Sequence, residues 1–125
     1  MSSLAQPAGP GHLDIELALS QIGDTDAMND MLRLLEESLA RDVPHITSLL
    51  EQGDTTGANR LLHSLKGFIP IFCADSFCAE VVRVEGMSKD PSDTGLLAAY
   101  AGLRPQLEAL LAEVSTYLLE SGKAA

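Results

Sequence analysis

The sequence predicts an all-α fold: an antiparallel up-and-down four-helix bundle with a short additional N-terminal helix. Three observations carry this. Hydrophobic residues, Leu and Ala foremost, make up 46% of the chain while aromatics are 4% and Trp is absent, which favours helices around an aliphatic core. Apolar residues recur at three- and four-residue steps along successive segments, the period of a helical stripe. Short stretches rich in Gly, Pro and Asp separate those segments, and amphipathic helices joined by short turns bury their stripes most simply as a bundle. At 125 residues there is length for one core, not two.

Residues 1–12, with Pro7, Gly9, Pro10 and Gly11 among Ser, Ala and Gln, read as a flexible linker or tail. The domain is expected over 13–121, with 122–125 as a C-terminal tail. Leu13, Ile15, Leu17, Leu19 and Ile22, closed by Gly23-Asp24, suit a brief helix across the end of something larger. Asp24 or Thr25 caps a second helix of about 27 residues, roughly 40 Å at 1.5 Å per residue, whose stripe runs from Met28 through Leu32, Leu35, Leu39, Val43 and Ile46 to Leu50. Pro44 is expected to kink it without ending it, since the period continues in phase on both sides; Gly53 ends it. A third helix starts at the capping candidate Asp54 and shows Leu61, Leu65, Phe68 and Phe72 on one face. A fourth, about Asp75 to Ser88, presents Phe77, Cys78, Val81, Val82 and Val84. After a turn at Lys89-Asp-Pro-Ser-Asp, recapped by Ser92 or Asp93, the last helix carries Leu96, Tyr100, Leu103, Leu107, Leu110, Val114 and Tyr117, with a kink expected at Pro105.

Eighteen acidic against eight basic residues give a net charge of -10, which argues against nucleic acid and against anionic membranes as partners. No apolar run approaches the roughly 20 residues of a membrane span, and the start lacks the pattern of a secretory signal, so the expected location is cytoplasmic. Cys73 and Cys78 are five apart, beyond disulfide reach on one helix, and two thiols make no tetrahedral zinc site; they read as small buried apolar residues. His12 in the tail and His45 after Pro44 read as surface residues, and no metal site is expected.

The informative segment is Leu61-Leu62-His63-Ser64-Leu65-Lys66-Gly67-Phe68. With Leu61, Leu65, Phe68 and Phe72 facing the core, His63 is rotated outward at 100° per residue. Asn59, Arg60, Lys66, Gly67 and Pro70 share its face. An imidazole ordinarily titrates near about 6.5 and offers a ring lone pair as a nucleophile at neutral pH. Lys66, one turn on, can place an ammonium beside a phosphoryl group carried on that ring. Gly67 within a helix costs up to about 1 kcal/mol relative to Ala, so it calls for a compensation such as room for another protein to approach. Leu62 and Ile69, flanking this face, are the expected apolar contacts for a partner helix. Arg60 adds positive potential or is a plain surface cation; Pro70 terminates the helix or joins the docking surface.

His63-Ser64-Leu65-Lys66-Gly67 resembles the H-x-L-K-G signature of histidine-containing phosphotransfer (HPt) domains of multistep phosphorelays. The resemblance spans roughly residues 13–119, including the long second helix and a Val84-Glu85 pair on the helix after the motif. It implies that His63 accepts a phosphoryl group from an aspartyl phosphate of a receiver domain and passes it to another receiver. Lys66 would stabilise the phosphorylated form and Gly67 clear space for the receiver. Two departures stand out: Cys73 occupies a position that is usually Gly, and Phe68-Ile-Pro-Ile-Phe72 replaces a stretch usually rich in small residues.

The chain has no Gly-rich phosphate loop, so no ATP site is expected and it is read as a relay carrier, not an autonomous enzyme. With no carboxylate cluster expected on the His63 face, the domain binds no cofactor of its own, and Mg²⁺ is expected from the partner receiver. The nearest charges to His63 are expected to be Arg60 and Lys66, with the acidity elsewhere. Two competing readings are a phosphorylation-incompetent scaffold that binds receivers and a kinase dimerisation domain. Against the latter, Ser64 stands where an acidic residue normally follows the histidine. The expected partners are response-regulator receiver domains, with the chain a monomer, either free-standing or the C-terminal module of a hybrid sensor kinase; the linker-like start favours the module.

Overall fold

The computed structural model describes residues 11–92 and 94–124. The first ten residues of the expected tail, the candidate cap Asp93 and Ala125 lie outside the described residues. Those described form five α-helices and no strand: α1 (Ile15–Ile22), α2 (Thr25–Glu51), α3 (Thr55–Phe68), α4 (Asp75–Met87) and α5 (Leu96–Ala124), with a 3-10 turn over Ile69–Ile71.

Three aspartates start the first three helices by the same chemistry. Asp14, Asp24 and Asp54 each accept, through a side-chain oxygen, a hydrogen bond from a backbone N–H of the first turn, at Leu17, Ala27 and Gly57. Gly23 and Gly53 then adopt positive φ, 84° and 80°, and turn the chain where a side chain would be strained. Ser92 does not cap α5; its N–H and hydroxyl both donate to Asp90, three residues and more before the helix starts. α5 continues through Ala124, taking in residues that the sequence reading assigns to a tail.

Both α2 and α5 run unbroken through their prolines, Pro44 and Pro105, which are exposed. On the solvent side, the carbonyl that each proline leaves without a donor is open to water. The four longer helices contact in a ring, α2 with α3, α3 with α4, α4 with α5 and α5 with α2, around one aliphatic core. Asn29 bonds Ser121, Ser115 bonds Glu36, and the Tyr100 hydroxyl donates to the Val43 carbonyl at 2.9 Å, so α2 and α5 run antiparallel. α1 packs on α2 and on the 3-10 turn.

The N-terminal segment is fastened where the reading expected a free linker. Glu113 accepts from the N–H groups of His12 and Leu13 at 2.8 Å each, and His12 stacks on Phe77 with ring centroids 4.2 Å apart. Leu13 pairs with Cys73 in an isolated antiparallel bridge, and the Asp14 N–H donates to the Phe72 carbonyl. Cys73 is buried, which pushes its thiol up to about 12, and precedes α4 instead of sharing its helix with Cys78.

One expectation about α3 is corrected. Its buried face is Ala58, Leu62, Leu65, Ile69 and Phe72, while Leu61 and Phe68 are only half-buried. The two stripes share Leu65 and Phe72, so the buried one is rotated by about 50°, half a residue step, from the expected one. Leu62 and Ile69, proposed as exposed partner contacts, are fully buried. The sequence holds the adjacent pairs Leu61-Leu62 and Phe68-Ile69, so two stripes fit the period equally, and only contact with α2 and α4 selects one. Val82, expected on the inner face of α4, is exposed. Leu62→Ala is expected to cost about 3 kcal/mol in urea unfolding and Leu61→Ala less than half as much; equal costs would contradict this rotation.

Candidate functional site

His63 lies on the outer side of α3 with 68% of its side chain exposed. At 100° per residue, Asn59, Arg60, Lys66, Gly67 and Pro70 all fall within about 60° of His63, Asn59 and Lys66 on one side and the exposed Arg60 with Gly67 on the other. The α-helix ends at Phe68 and the exposed Pro70 sits within the 3-10 turn that follows.

Beneath His63 is a residue the sequence reading placed on α4 but not in the site. Glu85 is buried, its side chain 2% exposed, and its Oε2 is 3.6 Å from His63 Nδ1. Oε1 accepts from Lys66 Nζ at 3.1 Å and lies 3.7 Å from Lys89 Nζ. Oε2 accepts from Asn59 Nδ2 at 3.1 Å. The same amide reaches Ser88 Oγ at 2.9 Å, and the Ser88 hydroxyl in turn donates to the Glu85 carbonyl at 2.6 Å. Burial alone would push the Glu85 carboxyl up, but hydrogen bonds from Lys66 and Asn59 and the charges of Lys66 and Lys89 outweigh it and hold the group below the usual carboxylate range.

The expectation that acidity lies away from the histidine is therefore overturned, since Glu85 approaches His63 directly. Lys66 is also more constrained than a solvated cation, with 27% of its side chain exposed and its ammonium held by Glu85. Asn59 acts as a brace between α3 and α4 through Glu85 and Ser88, and Arg60 forms no ion pair among the described residues. A signal for Glu85 was present: it stands four residues after Val81 and beside Val84, inside the apolar stripe of α4, where a carboxylate needs partners. Lys89 follows it at i,i+4.

Comparison of the chain with family models, curated proteins and solved structures gives no match in any of the three.

Two features of the face are informative. A Cβ added at Gly67 would meet nothing within 4 Å, so packing within the chain does not demand glycine there. Two clefts of 400 Å³ flank the N-terminal segment, one bordered by His12 and Phe77 and the other by Leu13 and Tyr117; neither borders His63. The imidazole thus stands on an open helix face, suited to a protein surface more than to an enclosed small molecule. Among the described residues no three His, Cys, Asp or Glu side chains are grouped to hold a metal ion, and no helix is long and apolar enough to cross a membrane.

Gly67→Ala is expected to raise stability by about 0.5–1 kcal/mol in urea unfolding, because it improves helix propensity in empty space; a loss would reveal a steric demand. Because the folded state lowers the Glu85 pKa, its charge-dependent stabilisation is present above the ordinary value of 4.5 and disappears as pH falls through the depressed one. Glu85→Gln should remove that part of the acid dependence, measured by denaturant unfolding across a pH series.

Proposed function

We propose that the chain is an HPt domain, an antiparallel up-and-down bundle of α2 to α5 with α1 added at its N-terminus, which carries a phosphoryl group on His63 between receiver domains. The observation that carries this reading is one exposed helix face holding an outward imidazole, a lysine one turn away and a glycine that packing does not require. The motif His63-x-Leu65-Lys66-Gly67 supports it from the sequence side.

With Nδ1 toward Glu85, Nε2 is the ring nitrogen turned away from the carboxylate. In the neutral ring, a proton on Nδ1 leaves the Nε2 lone pair free to attack. Nε2 attacks the phosphorus of an aspartyl phosphate on the receiver. The P–N bond forms, the P–O bond to the aspartyl carboxylate breaks, and the bonding pair leaves with that carboxylate. The positive charge that develops on the ring faces Glu85 across 3.6 Å, which favours it. Transfer to a second receiver runs the same steps in reverse. Lys66 contributes an ammonium beside the phosphoryl oxygens, and Gly67 lets the receiver come close.

One buried carboxylate already engaged by two lysines is a poor Mg²⁺ ligand set, so the reading assigns the metal to the receiver. It also places the domain in the cytoplasm as a monomer that works only with partners. Incubation with a phosphorylated receiver should give acid-labile, base-stable phosphate on this chain, and His63→Gln should abolish it. Label persisting in that variant would overturn the assignment, whereas receiver binding without any label on the wild type would favour a docking scaffold.

A further inference from the structure

The two lysines on Glu85 are not equivalent, and the difference points to a role for the one outside the motif. Lys66 Nζ donates to Oε1 at 3.1 Å from a largely buried side chain. Lys89 Nζ stands 3.7 Å from the same oxygen, and its side chain is 62% exposed. It lies four residues after Glu85 in the turn that follows α4, so rotation about its side-chain bonds can close the gap.

The phosphoryl group of the proposed reaction brings close to two negative charges to a ring already 3.6 Å from a buried carboxylate. With the ring's own positive charge counted, one ammonium between that carboxylate and a phosphoryl dianion still leaves about one negative charge in excess. A buried carboxylate stripped of its cation is also strongly disfavoured.

Building on the reading of His63 as phosphoacceptor, we propose that Lys89 is a reserve counter-ion for Glu85. When the phosphoryl group on His63 draws the Lys66 ammonium to its oxygens, Lys89 closes on Oε1 and keeps the buried carboxylate paired. Lys89 is thus a positioning residue that acts through Glu85 and Lys66 and does not touch the phosphoryl group. Its presence is what lets a carboxylate sit under the phosphoacceptor and orient the ring without opposing the phosphorylated state.

The test is a double-mutant cycle on the whole chain, with phosphoramidate as a small-molecule phosphoryl donor and ³¹P NMR reading phosphohistidine formation and decay. Lys89→Met should slow formation by about three- to fivefold, the scale of a half-exposed charge pair, and Lys89→Arg should retain the wild-type rate. In a Glu85→Gln background the carboxylate is gone, and Lys89→Met should then change the rate by less than about 1.5-fold. A wild-type rate in Lys89→Met would overturn the proposal while leaving His63 as acceptor. An undiminished Lys89→Met effect in the Glu85→Gln background would also overturn it, because the lysine would then act without Glu85. Wild-type protein that gains no phosphohistidine, with His63 confirmed accessible by chemical modification, would overturn the phosphoacceptor reading itself and this proposal with it.

Discussion

A carboxylate buried between two helices must be paired, and that requirement at Glu85 organises the α3–α4 face. Glu85 stands inside the apolar stripe of α4, with Asn59 and Lys66 reaching it from α3 and Lys89 from the turn after its own helix. Leaving a buried charge without partners costs several kcal/mol, whereas a typical surface ion pair contributes about 0–1 kcal/mol. The pairing therefore favours one rotation of α3 about its axis over the alternative. With Asn59 and Lys66 turned to α4, Leu62, Leu65 and Ile69 face the core, and His63 is left on the rim with one nitrogen over the carboxylate.

The same arrangement bears on the apparent conflict between a chain of net charge -10 and the phosphoryl transfer proposed for His63. The acidity is not kept away from the histidine. One carboxylate is brought beneath it and matched by two lysines, so its field is largely neutralised while its hydrogen-bonding capacity remains. Around this centre the face is open, with Gly67 on α3 and Gly86 on α4 both adjoining empty space.

Most helix boundaries were legible because their determinants are local. Asp24 and Asp54 cap the helices they precede, and the long stripes of α2 and α5 persist through Pro44 and Pro105 because the prolines lie off the buried face. The less legible features all involve residues distant in sequence. Glu113 binds the backbone of His12, the last residue of the stretch that reads as linker, and of Leu13 from about a hundred residues away, and the Asp14 N–H meets the Phe72 carbonyl just after the 3-10 turn. Composition around Gly11 gave no sign of this, since the acceptors are on other elements.

By itself the sequence determined that the chain is helical, where most helices start, and that His63, Lys66 and Gly67 share one side of a helix, because period, capping and spacing act over a few residues. Only the tertiary structure decided which of two overlapping stripes on α3 faces inward, burying Leu62 and Ile69, and only it brought Glu85 to His63 and Lys66. The physical reason is that a helical stripe specifies a direction to within about one residue, whereas the partners of a buried charge are set by the neighbouring helix. The sequence named the imidazole; the fold supplied the carboxylate beneath it.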